Sequence, residues 1–391
     1  MVEKSESILK FLLKKEDNDD VATSSDKLVE EEILCRVPAT SLKRLRATCK
    51  QWNGLFNNRR FAKIHFDKSA KQFLFLMLKN EYRIRSLSVE LKGELGLLDP
   101  LHSVQFKITH VFHCDGLLLC TYEGYHRLVV WNPCTGQTKW LNHPVSRYKG
   151  YITYTPGGNI TYTLGCYQDK KSHNSSYKIL RLVEWEKNQR FEIYEIKSDS
   201  WRILDVTPDC ILMYNHSSVS LKGKTYWFAL DEKELDPIVL LVSFDYTTER
   251  FARVCLPNPY GIYRIMSLSV VREEKLSVLL RRRDALESEI EIWVSNPIDE
   301  HKVVSWSKIL VGDEPRLGLC RGTSFLVDEE KKIALCCDRG ICNQDTTKDY
   351  FFLYIIGEDN ELTQGDFRAS STWQLHSPLL FNYVPSLVQI Q

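Results

Sequence analysis

Histidine and carboxylate side chains are the groups in this sequence whose types and spacing come nearest to supporting catalysis. The ten histidines are dispersed, and His110 and His113 fall within a strand-like run, which favours a structural role over a catalytic one. The adjacent carboxylates Glu273-Glu274 and Glu329-Glu330 fall at expected hairpin turns, where solvation is the simpler interpretation. The sequence has no nucleophile elbow, phosphate loop, HExxH motif or GxGxxG loop. We therefore expect no catalytic residue and no cofactor.

Twelve cysteines are the other reactive groups, and none forms a CxxC pair. Cys336-Cys337 with Cys342 is the nearest approach to a cluster, but zinc sites usually carry paired ligands at short, regular spacing. Buried strand cysteines acting as small hydrophobic side chains explain the pattern better than a metal site does. No signal peptide is visible at the N-terminus, so we expect a reducing compartment, the cytoplasm and/or the nucleus.

Composition limits the partners and the number of domains. The chain has 391 residues, is 43% apolar and 26% charged, and carries a net charge of +1. These values are typical of a soluble globular protein and give no global field that would attract nucleic acid or a membrane. The length exceeds what one hydrophobic core usually serves, so we expect at least two domains.

The elements that would position any site are of two kinds, and the first is a helical module over Leu28–Phe61. Val29, Ile33 and Val37 form an apolar stripe on a first helix that Pro38 ends. A second helical stretch begins at Thr40 and ends at Asn57-Asn58. Its apolar face, at helical spacing, consists of Leu45, Cys49, Trp52 and Phe56. A module this small is marginal alone, which indicates that it docks onto a partner or a neighbouring domain.

The second kind is a series of short strands that repeats after Lys68. Asp115-Gly116 and Lys222-Gly223 each separate two strand-like runs and predict tight hairpins. Units of four strands recur at roughly 50–60 residues, and the last strand of a unit often opens with tryptophan, as in propeller blades. We expect a mainly-β domain forming a six-bladed kelch-like β-propeller, with a sixth blade built from both ends of the domain. A large β-sandwich is the alternative.

Two stretches resemble a known family. LVEEEIL at 28–34, followed by RVP, SL, LR, TCK and WN up to residue 53, resembles the F-box of plant F-box proteins. CDGLLLC at 114–120 with VVWNPCTGQTKW at 129–140 resembles the F-box-associated (type 1, kelch-like) domain of the same family. The charged composition of residues 1–23 indicates a weakly ordered leader. The resemblance covers the rest and implies an F-box over 24–68 and a propeller-like domain over 69–391.

The resemblance also implies a function. Such proteins are substrate receptors of Skp–cullin–F-box ubiquitin ligases, in which the F-box binds the Skp-family adaptor and, through it, a cullin. The C-terminal domain captures a protein target. The chain departs from the family at Ser24 and Ser25, where a Leu-Pro pair is usual, and at Lys27, where an acidic residue is usual. Because of these departures, a second hypothesis is that the chain is a decayed family member that binds the adaptor weakly and acts as a scaffold or decoy. A third hypothesis is an enzyme built on the propeller.

Candidate site residues follow from these patterns. Eight mostly apolar residues, which we name the F-box stripe, are expected either to contact the adaptor or to pack behind that contact. The sequence does not distinguish these two roles. The F-box stripe consists of Leu28, Ile33, Leu34, Val37, Pro38, Leu42, Leu45 and Trp52. The longer loops between the second and third strands of a blade emerge on one face of a propeller, where recognition or a tolerated insertion explains them equally well. The candidate target-binding residues there are Asp231, Glu232, Glu234, Arg282, Arg283, Asp284, Asp338, Arg339 and Asn343.

Two basic stretches have alternative interpretations. The first stretch follows the first helix and is explained either by binding to an acidic partner or by exposure of a helix face to solvent. It consists of Lys43, Arg44, Arg46, Lys50, Arg59 and Arg60. No aromatic–basic interleaving follows it, so the pattern does not favour a nucleic-acid site. The second, Arg281-Arg282-Arg283, is followed by Asp284 and Glu287, so a charged strand end is a simpler explanation than a localisation signal.

Overall fold

A computed structural model describes the chain in eighteen segments. They cover residues 32–46, 50–69, 74–78, 84–87, 108–122, 127–141, 158–168, 175–185, 188–213, 218–231, 238–258, 263–282, 289–299, 302–313, 323–340, 350–357, 362–368 and 379–390. The predicted leader over 1–23 lies outside these residues, as do Ser24, Ser25 and Leu28.

The helical module occupies residues 32–69. Residues 32–34 are helical, and Pro38 precedes helix α1 (Ala39–Leu45). Helices α2 (Lys50–Phe56) and α3 (Arg59–Lys68) follow. The sequence predicts one helical stretch from Thr40 to Asn57, whereas the structure has two helices there, and α3 was not predicted. Asn58 begins α3 because its side-chain oxygen accepts the backbone N–H groups of Arg60 (2.8 Å) and Phe61 (3.4 Å).

Long-range contacts close the helical module. Nε2 of His65 lies 2.7 Å from the carbonyl oxygen of Val37, and its ring is 1% exposed. Nζ of Lys68 donates to both oxygens of Glu32, at 3.1 and 3.0 Å. Helix α3 therefore fastens the beginning of the module to its end. Burial lowers the pKa of His65, so the ring is held in its neutral form.

Among the described residues, five sheets form complete propeller blades of consecutive antiparallel strands. Blade 1 comprises β3 (Ile108–Cys114), β4 (Leu117–Tyr122), β5 (Arg127–Trp131) and β6 (Thr138–Leu141). Blade 2 comprises β7 (Gly158–Gln168), β8 (Ser175–Trp185), β9 (Asn188–Glu195) and β10 (Ser200–Ile203). Blade 3 comprises β11 (Ile211–Leu212), β12 (Val219–Leu221), β13 (Lys224–Asp231), β14 (Ile238–Asp245) and β15 (Arg250–Val254).

The remaining blades follow the same order. Blade 4 comprises β16 (Tyr263–Val271), β17 (Lys275–Arg282), β18 (Glu289–Ser295) and β19 (Trp306–Asp313), and blade 5 comprises β20 (Ser324–Asp328), β21 (Ile333–Gly340), β22 (Tyr350–Gly357) and β23 (Leu362–Arg368). In blade 3 the first strand is split, because β11 and β12 both pair with β13. The propeller architecture predicted from the repeat is confirmed.

A three-stranded closing sheet joins the two ends of the domain. Its order is β2 (Ile84–Leu87), β1 (Leu74–Leu78) and β24 (Leu379–Tyr383), all antiparallel. The structure thus has five complete blades and not the predicted six, since the described part of the sixth unit has three strands. The stretch after β2, residues 88–107, lies outside the described residues.

Apolar side chains between neighbouring sheets form the propeller core. One cluster joins blades 1 and 2 through residues such as Leu119 and Tyr194, and another joins blades 4 and 5 through residues such as Ile292 and Phe325. Strands whose two faces are both covered carry continuous apolar runs, as in Ile238–Asp245, where six successive residues are buried. This packing explains why the alternation expected of a half-exposed strand is weak in the middle of each blade.

The two faces of the propeller follow from strand direction. In each antiparallel blade the turns after the first and third strands lie at one end, which we name the turn face. The connection between the second and third strands lies at the other end, which we name the loop face. Asp115-Gly116 on the turn face has the predicted hairpin geometry, with φ angles of 51° and 80°.

Candidate functional site

The predicted F-box stripe lies mostly inside the helical module. Leu34 and Leu42 are fully buried, and Val37, Leu45 and Trp52 are 5% exposed or less. They share a cluster with Phe56, Phe61 and Ala62. Ile33 and Pro38 are half-buried, as are Leu55 and Ile64 on the rim of the cluster. The structure therefore separates core residues from the half-exposed apolar residues that remain accessible to a partner.

The helical module docks on a turn of blade 1. That turn, residues 132–137, connects β5 and β6 and so lies on the turn face. Cys134 is 5% exposed within the cluster of the module, and its Sγ lies 3.6 Å from the carbonyl oxygen of Ala39. Lys43 Nζ donates to the carbonyl oxygen of Pro133 at 3.1 Å, and Arg46 Nη1 to that of Thr135 at 3.4 Å. Two of the basic residues assigned to a partner or to solvent thus bind the propeller itself.

Asn132 holds the shape of this turn. Its Oδ1 accepts the backbone N–H groups of Cys134 (2.8 Å) and Thr135 (3.1 Å). Its Nδ2 donates to the carbonyl oxygens of Ser386 (3.1 Å) and Val388 (2.6 Å). The side chain is fully buried, so all four bonds are made away from water. One residue therefore fixes both the docking turn and the C-terminal segment.

The C-terminal segment, residues 384–390, follows β24 and crosses the turn face. Leu387 is 1% exposed within the cluster of the helical module, and Gln389 donates to the carbonyl oxygen of Asn57. Ser386 Oγ donates to the carbonyl oxygen of Asp115 at 2.7 Å. A Cβ on Gly116 would lie 2.7 Å from the carbonyl oxygen of Val384, so glycine is required for this approach as well as for its φ of 80°. Module, turn and segment form one junction.

The loop face lies at the far end of the blades from this junction. Strand pairing extends further than predicted there, because Asp231 pairs with Ile238, Asp338 with Phe352 and Arg339 with Phe351. Arg282 ends β17, and Arg281 within it is buried. Four predicted loop residues therefore lie in strands, and Glu232, Glu234, Arg283, Asp284 and Asn343 lie outside the described residues.

A groove of about 430 Å³ opens on the loop face between blades 2 and 3. Its lining includes Gln189, Asp209 and Asp231. The Arg253 guanidinium binds Asp209 through Nε and Nη2, at 3.0 and 2.8 Å, and Asp231 through Nη1 at 2.5 Å. Gln189 exchanges two hydrogen bonds with the backbone of Leu212, at 2.8 and 3.0 Å. These contacts give the groove fixed walls.

A larger cavity of about 820 Å³ occupies the turn-face end of the central channel. Its lining combines apolar and polar side chains from all five blades and the closing sheet, together with Phe66 of α3. The hypothesis of a propeller enzyme required polar groups in the channel, and such groups are present. Burial, and then the Asp115 carboxylate, raise the pKa of both Cys114 and Cys166 well above its ordinary value. These thiols therefore stay protonated and are poor nucleophiles.

The described residues contain no group of three or more His, Cys, Asp or Glu side chains that could hold a metal ion. Among the same residues no helix has the length and apolarity needed to cross a membrane.

Sequence reasoning missed the junction. The run VVWNPCTGQTKW carried the family resemblance, but nothing in its spacing shows that Asn132 binds residues more than 250 positions away. The sequence offers one signal for the junction. Between two strands, where a solvated turn would be expected, it has the largely apolar run WNPC.

Comparisons with known proteins match the chain from the helical module to its C-terminal end. The sequence model of the F-box domain matches residues 29–64, and that of the F-box associated beta propeller domain matches residues 68–390. A probable F-box protein of Arabidopsis thaliana is 52% identical over 92% of this chain and 85% of its own length.

Two further relatives come from the same organism. A putative F-box protein is 49% identical over 92% of this chain and 96% of its own, and an F-box/kelch-repeat protein is 43% identical over 92% and 94%. Among solved structures, TolB from Acinetobacter baumannii aligns with 79% of this chain and 66% of its own at 9% identity, with a TM-score of 0.42. That likeness is too low to support an argument about function.

Proposed function

Because the chain belongs to the F-box proteins that carry an F-box-associated β-propeller domain, we propose that it is the substrate-recognition subunit of a Skp–cullin–F-box ubiquitin ligase. Its F-box, residues 24–68, binds a Skp-family adaptor and through it a cullin. Its β domain, residues 69–391, binds a protein target. The chain contributes no catalytic residue, and it acts in the cytoplasm, the nucleus or both.

One observation carries this proposal: the helical module and the loop face lie at opposite ends of the propeller. The module contacts the turn of residues 132–137 and the C-terminal segment, both on the turn face. In the part of the chain that the structure describes, the loop face therefore stays clear of the module. A receptor must hold its adaptor and its target at the same time, and this arrangement keeps the two surfaces apart.

The adaptor surface is assigned to half-exposed apolar side chains of the module. Ile33, Leu55 and Ile64 pack against the cluster of the module from its rim and remain partly accessible. A partner that covers them would bury the apolar area that a module of this size leaves exposed. Leu34, Val37, Leu42, Leu45 and Trp52 support that surface from behind.

The target surface is assigned to the loop face. The groove between blades 2 and 3 is lined by Asp231, which directly precedes residues 232–237 in the sequence, among them Glu232 and Glu234. The predicted loop residues Arg283, Asp284 and Asn343 belong to the equivalent connections of blades 4 and 5. Loops carried by a rigid scaffold are common recognition sites. Once a target is known, Asp209→Lys on this face should weaken its binding, whereas Thr247→Lys on the turn face should not.

A pulldown with a purified Skp-family adaptor tests the ligase assignment. We expect the full-length chain to bind and Ile64→Glu to reduce binding by about tenfold, because a carboxylate would be buried without a partner. Val303→Glu is the matched control, since Val303 is 89% exposed on the propeller. Absence of binding by the unaltered chain at low salt would remove the ligase role.

A scaffold or decoy that has lost ligase assembly is the second candidate, and Ser24 and Ser25 in place of Leu-Pro favour it. Under this alternative, the chain binds the adaptor weakly, and Ser24→Leu with Ser25→Pro raises adaptor affinity markedly. If the double substitution leaves the affinity unchanged, the missing Leu-Pro no longer supports the decoy hypothesis.

A further inference from the structure

The central cavity has a largely apolar wall to which four of the five blades and the closing sheet each contribute a half-buried side chain. They are His113 of β3, Cys166 of β7, Val219 of β12, Val270 of β16 and Phe381 of β24. Phe66 of α3 lines the cavity from the side of the helical module. The volume of about 820 Å³ lies within the range of about 300–1,000 Å³ that is usual for small-molecule sites. The wall is therefore of a size and character suited to an organic molecule.

His113 provides a defined aromatic face and a single donor. Its Nε2 accepts the backbone N–H of Gly116 at 3.1 Å, so the proton of a neutral ring lies on Nδ1. Burial lowers its pKa to about 4, which keeps the ring neutral at physiological pH. The ring centroid lies 6.4 Å from that of Phe381 and 5.5 Å from that of Tyr383. These rings form an aromatic patch, and the N–H group of its histidine is the one on Nδ1.

The charges around the cavity nearly balance. Three carboxylates line it, Asp115, Asp245 and Glu273, with two ammonium groups, Lys222 and Lys224. Lys224 lies 3.7 Å from Asp245, and Lys222 donates to the carbonyl oxygen of Ile298 at 2.8 Å. Neither sign dominates, so the site gives no strong preference for an anion or a cation. An uncharged occupant suits this balance best.

We propose that the central cavity binds an uncharged organic molecule that has a ring-sized apolar body and a hydrogen-bond acceptor. The body packs against the patch of His113 and Phe381, and the acceptor takes the Nδ1 proton of His113. Because Phe66 belongs to α3, the molecule contacts the F-box and the propeller together and stabilises their docked arrangement. This site is independent of the ligase role, so its loss leaves adaptor binding unchanged.

A titration with 6-propionyl-2-(dimethylamino)naphthalene tests the site. This probe is uncharged, has a naphthalene body and a ketone acceptor, and changes its fluorescence when it leaves water. We expect the full-length protein to bind it saturably at one site and to gain thermal stability with increasing probe. A fluorescence change that rises linearly without saturation would overturn the proposal.

Two variants locate the binding. Val270→Trp fills the cavity and should weaken the probe's affinity by about tenfold or more, whereas Val303→Trp, at a position 89% exposed on the surface, should not. Equal affinity of folded Val270→Trp and the unaltered protein would overturn the proposal. If Val270→Trp does not fold, as judged by circular dichroism, Val219→Phe serves as the filling variant under the same criterion.

Phe66→Ala tests the contact with the F-box. Loss of one aromatic contact should weaken probe affinity by about twofold to tenfold. Unchanged affinity would overturn the claim that the molecule bridges the two domains. The adaptor pulldown on Val270→Trp distinguishes this site from the ligase role, since we expect full adaptor binding there even when the probe no longer binds.

Discussion

Tyr246 connects blades 2 and 3 through a buried phenol. Its OH lies 2.8 Å from Oγ1 of Thr163 in β7 and 3.0 Å from Oγ1 of Thr225 in β13. Its carbonyl oxygen accepts Lys178 Nζ at 3.2 Å, and the same ammonium donates to Glu249 at 2.7 Å. The ring is fully buried, and burial raises the pKa of the phenol, so the OH stays protonated and able to donate. A side chain after β14 thus holds two blades together.

Gly165→Ala should strongly destabilise this contact. A Cβ at position 165 would overlap the ring of Tyr246, and forced overpacking of this kind costs about 1–3 kcal/mol or more. Chemical denaturation should show the loss in free energy of unfolding. Gly357→Ala is the matched control, because no atom of the described residues lies within 4 Å of its Cβ position and its φ is ordinary. Equal stability of both variants would contradict this account of the blade contact.

His113 should make the propeller less stable as the pH falls below neutrality. Burial lowers its pKa from 6.5 to about 4, so the unfolded state takes up a proton that the folded state refuses. The contribution is complete above pH 6.5 and is lost as the pH falls from 6.5 to about 4. The slope is at most about 1.4 kcal/mol per pH unit, and solvent in the cavity reduces it.

Denaturant unfolding of His113→Gln, measured between pH 7 and pH 4, checks this slope. Glutamine keeps an acceptor for the Gly116 N–H but does not titrate. The free energy of unfolding of the variant should therefore depend less on pH than that of the unaltered protein. Parallel pH profiles for the two proteins would show that His113 does not contribute.

Single residues were predictable only where the signal is local. Asp115-Gly116 predicts its turn because positive φ angles at both central positions favour glycine and aspartate. Tyr246 gives no such signal, since Thr163 and Thr225 lie 83 and 21 positions away in the sequence. Asp231 was predicted as an exposed loop residue, yet it is 7% exposed and bound to Arg253. Charge alone does not reveal a partner on another strand.

At the scale of elements, α3 and the junction differ most from prediction. Asn57-Asn58 was predicted as a helix end, which it is, but Asn58 also caps a further helix. The strand units were predicted well because turn residues punctuate them at regular intervals. The docking of the helical module on residues 132–137 depends on burial of Cys134 and Leu387, two residues that lie far apart in the sequence. No periodicity in the sequence indicates that these two residues join the same cluster.

Asn132→Ala should loosen the junction. The substitution removes four hydrogen bonds of a buried side chain and leaves at least two carbonyl oxygens to find new donors, at about 1–3 kcal/mol each. Limited proteolysis should then cut between module and propeller faster than in the unaltered protein. Asn296→Ala, at an exposed turn of blade 4, is the control. Equal cleavage rates would show that Asn132 does not hold the module.

At the scale of the molecule, the closing sheet makes the domain one ring. Strand β24 pairs with β1 along five residues, and its Leu380 N–H donates to Ser324 of blade 5 at 2.9 Å. The blades therefore contact each other around the whole ring. The prediction that both ends of the domain close the propeller is confirmed, although the described closing sheet has fewer strands than a complete blade.

Removing residues 379–391 should open this ring and lower the thermal midpoint. We expect a broader transition, because blades next to the gap lose the neighbours that bury their apolar faces. A synthetic peptide of residues 379–390 added in excess should restore part of the midpoint. Calorimetry measures both effects. A truncated chain with an unchanged sharp transition would show that β24 is dispensable.

Closure by both ends also sets the order of events during synthesis. Strand β1 leaves the ribosome roughly 300 residues before its partner β24. At about 5–20 residues per second it waits roughly 15–60 s with an unpaired edge. The F-box waits as well, since Leu387, which completes its cluster, follows more than 300 residues later in the chain. During that interval the nascent chain exposes an unpaired edge of β1 and an incomplete cluster in the helical module, and chaperones have that time in which to protect it.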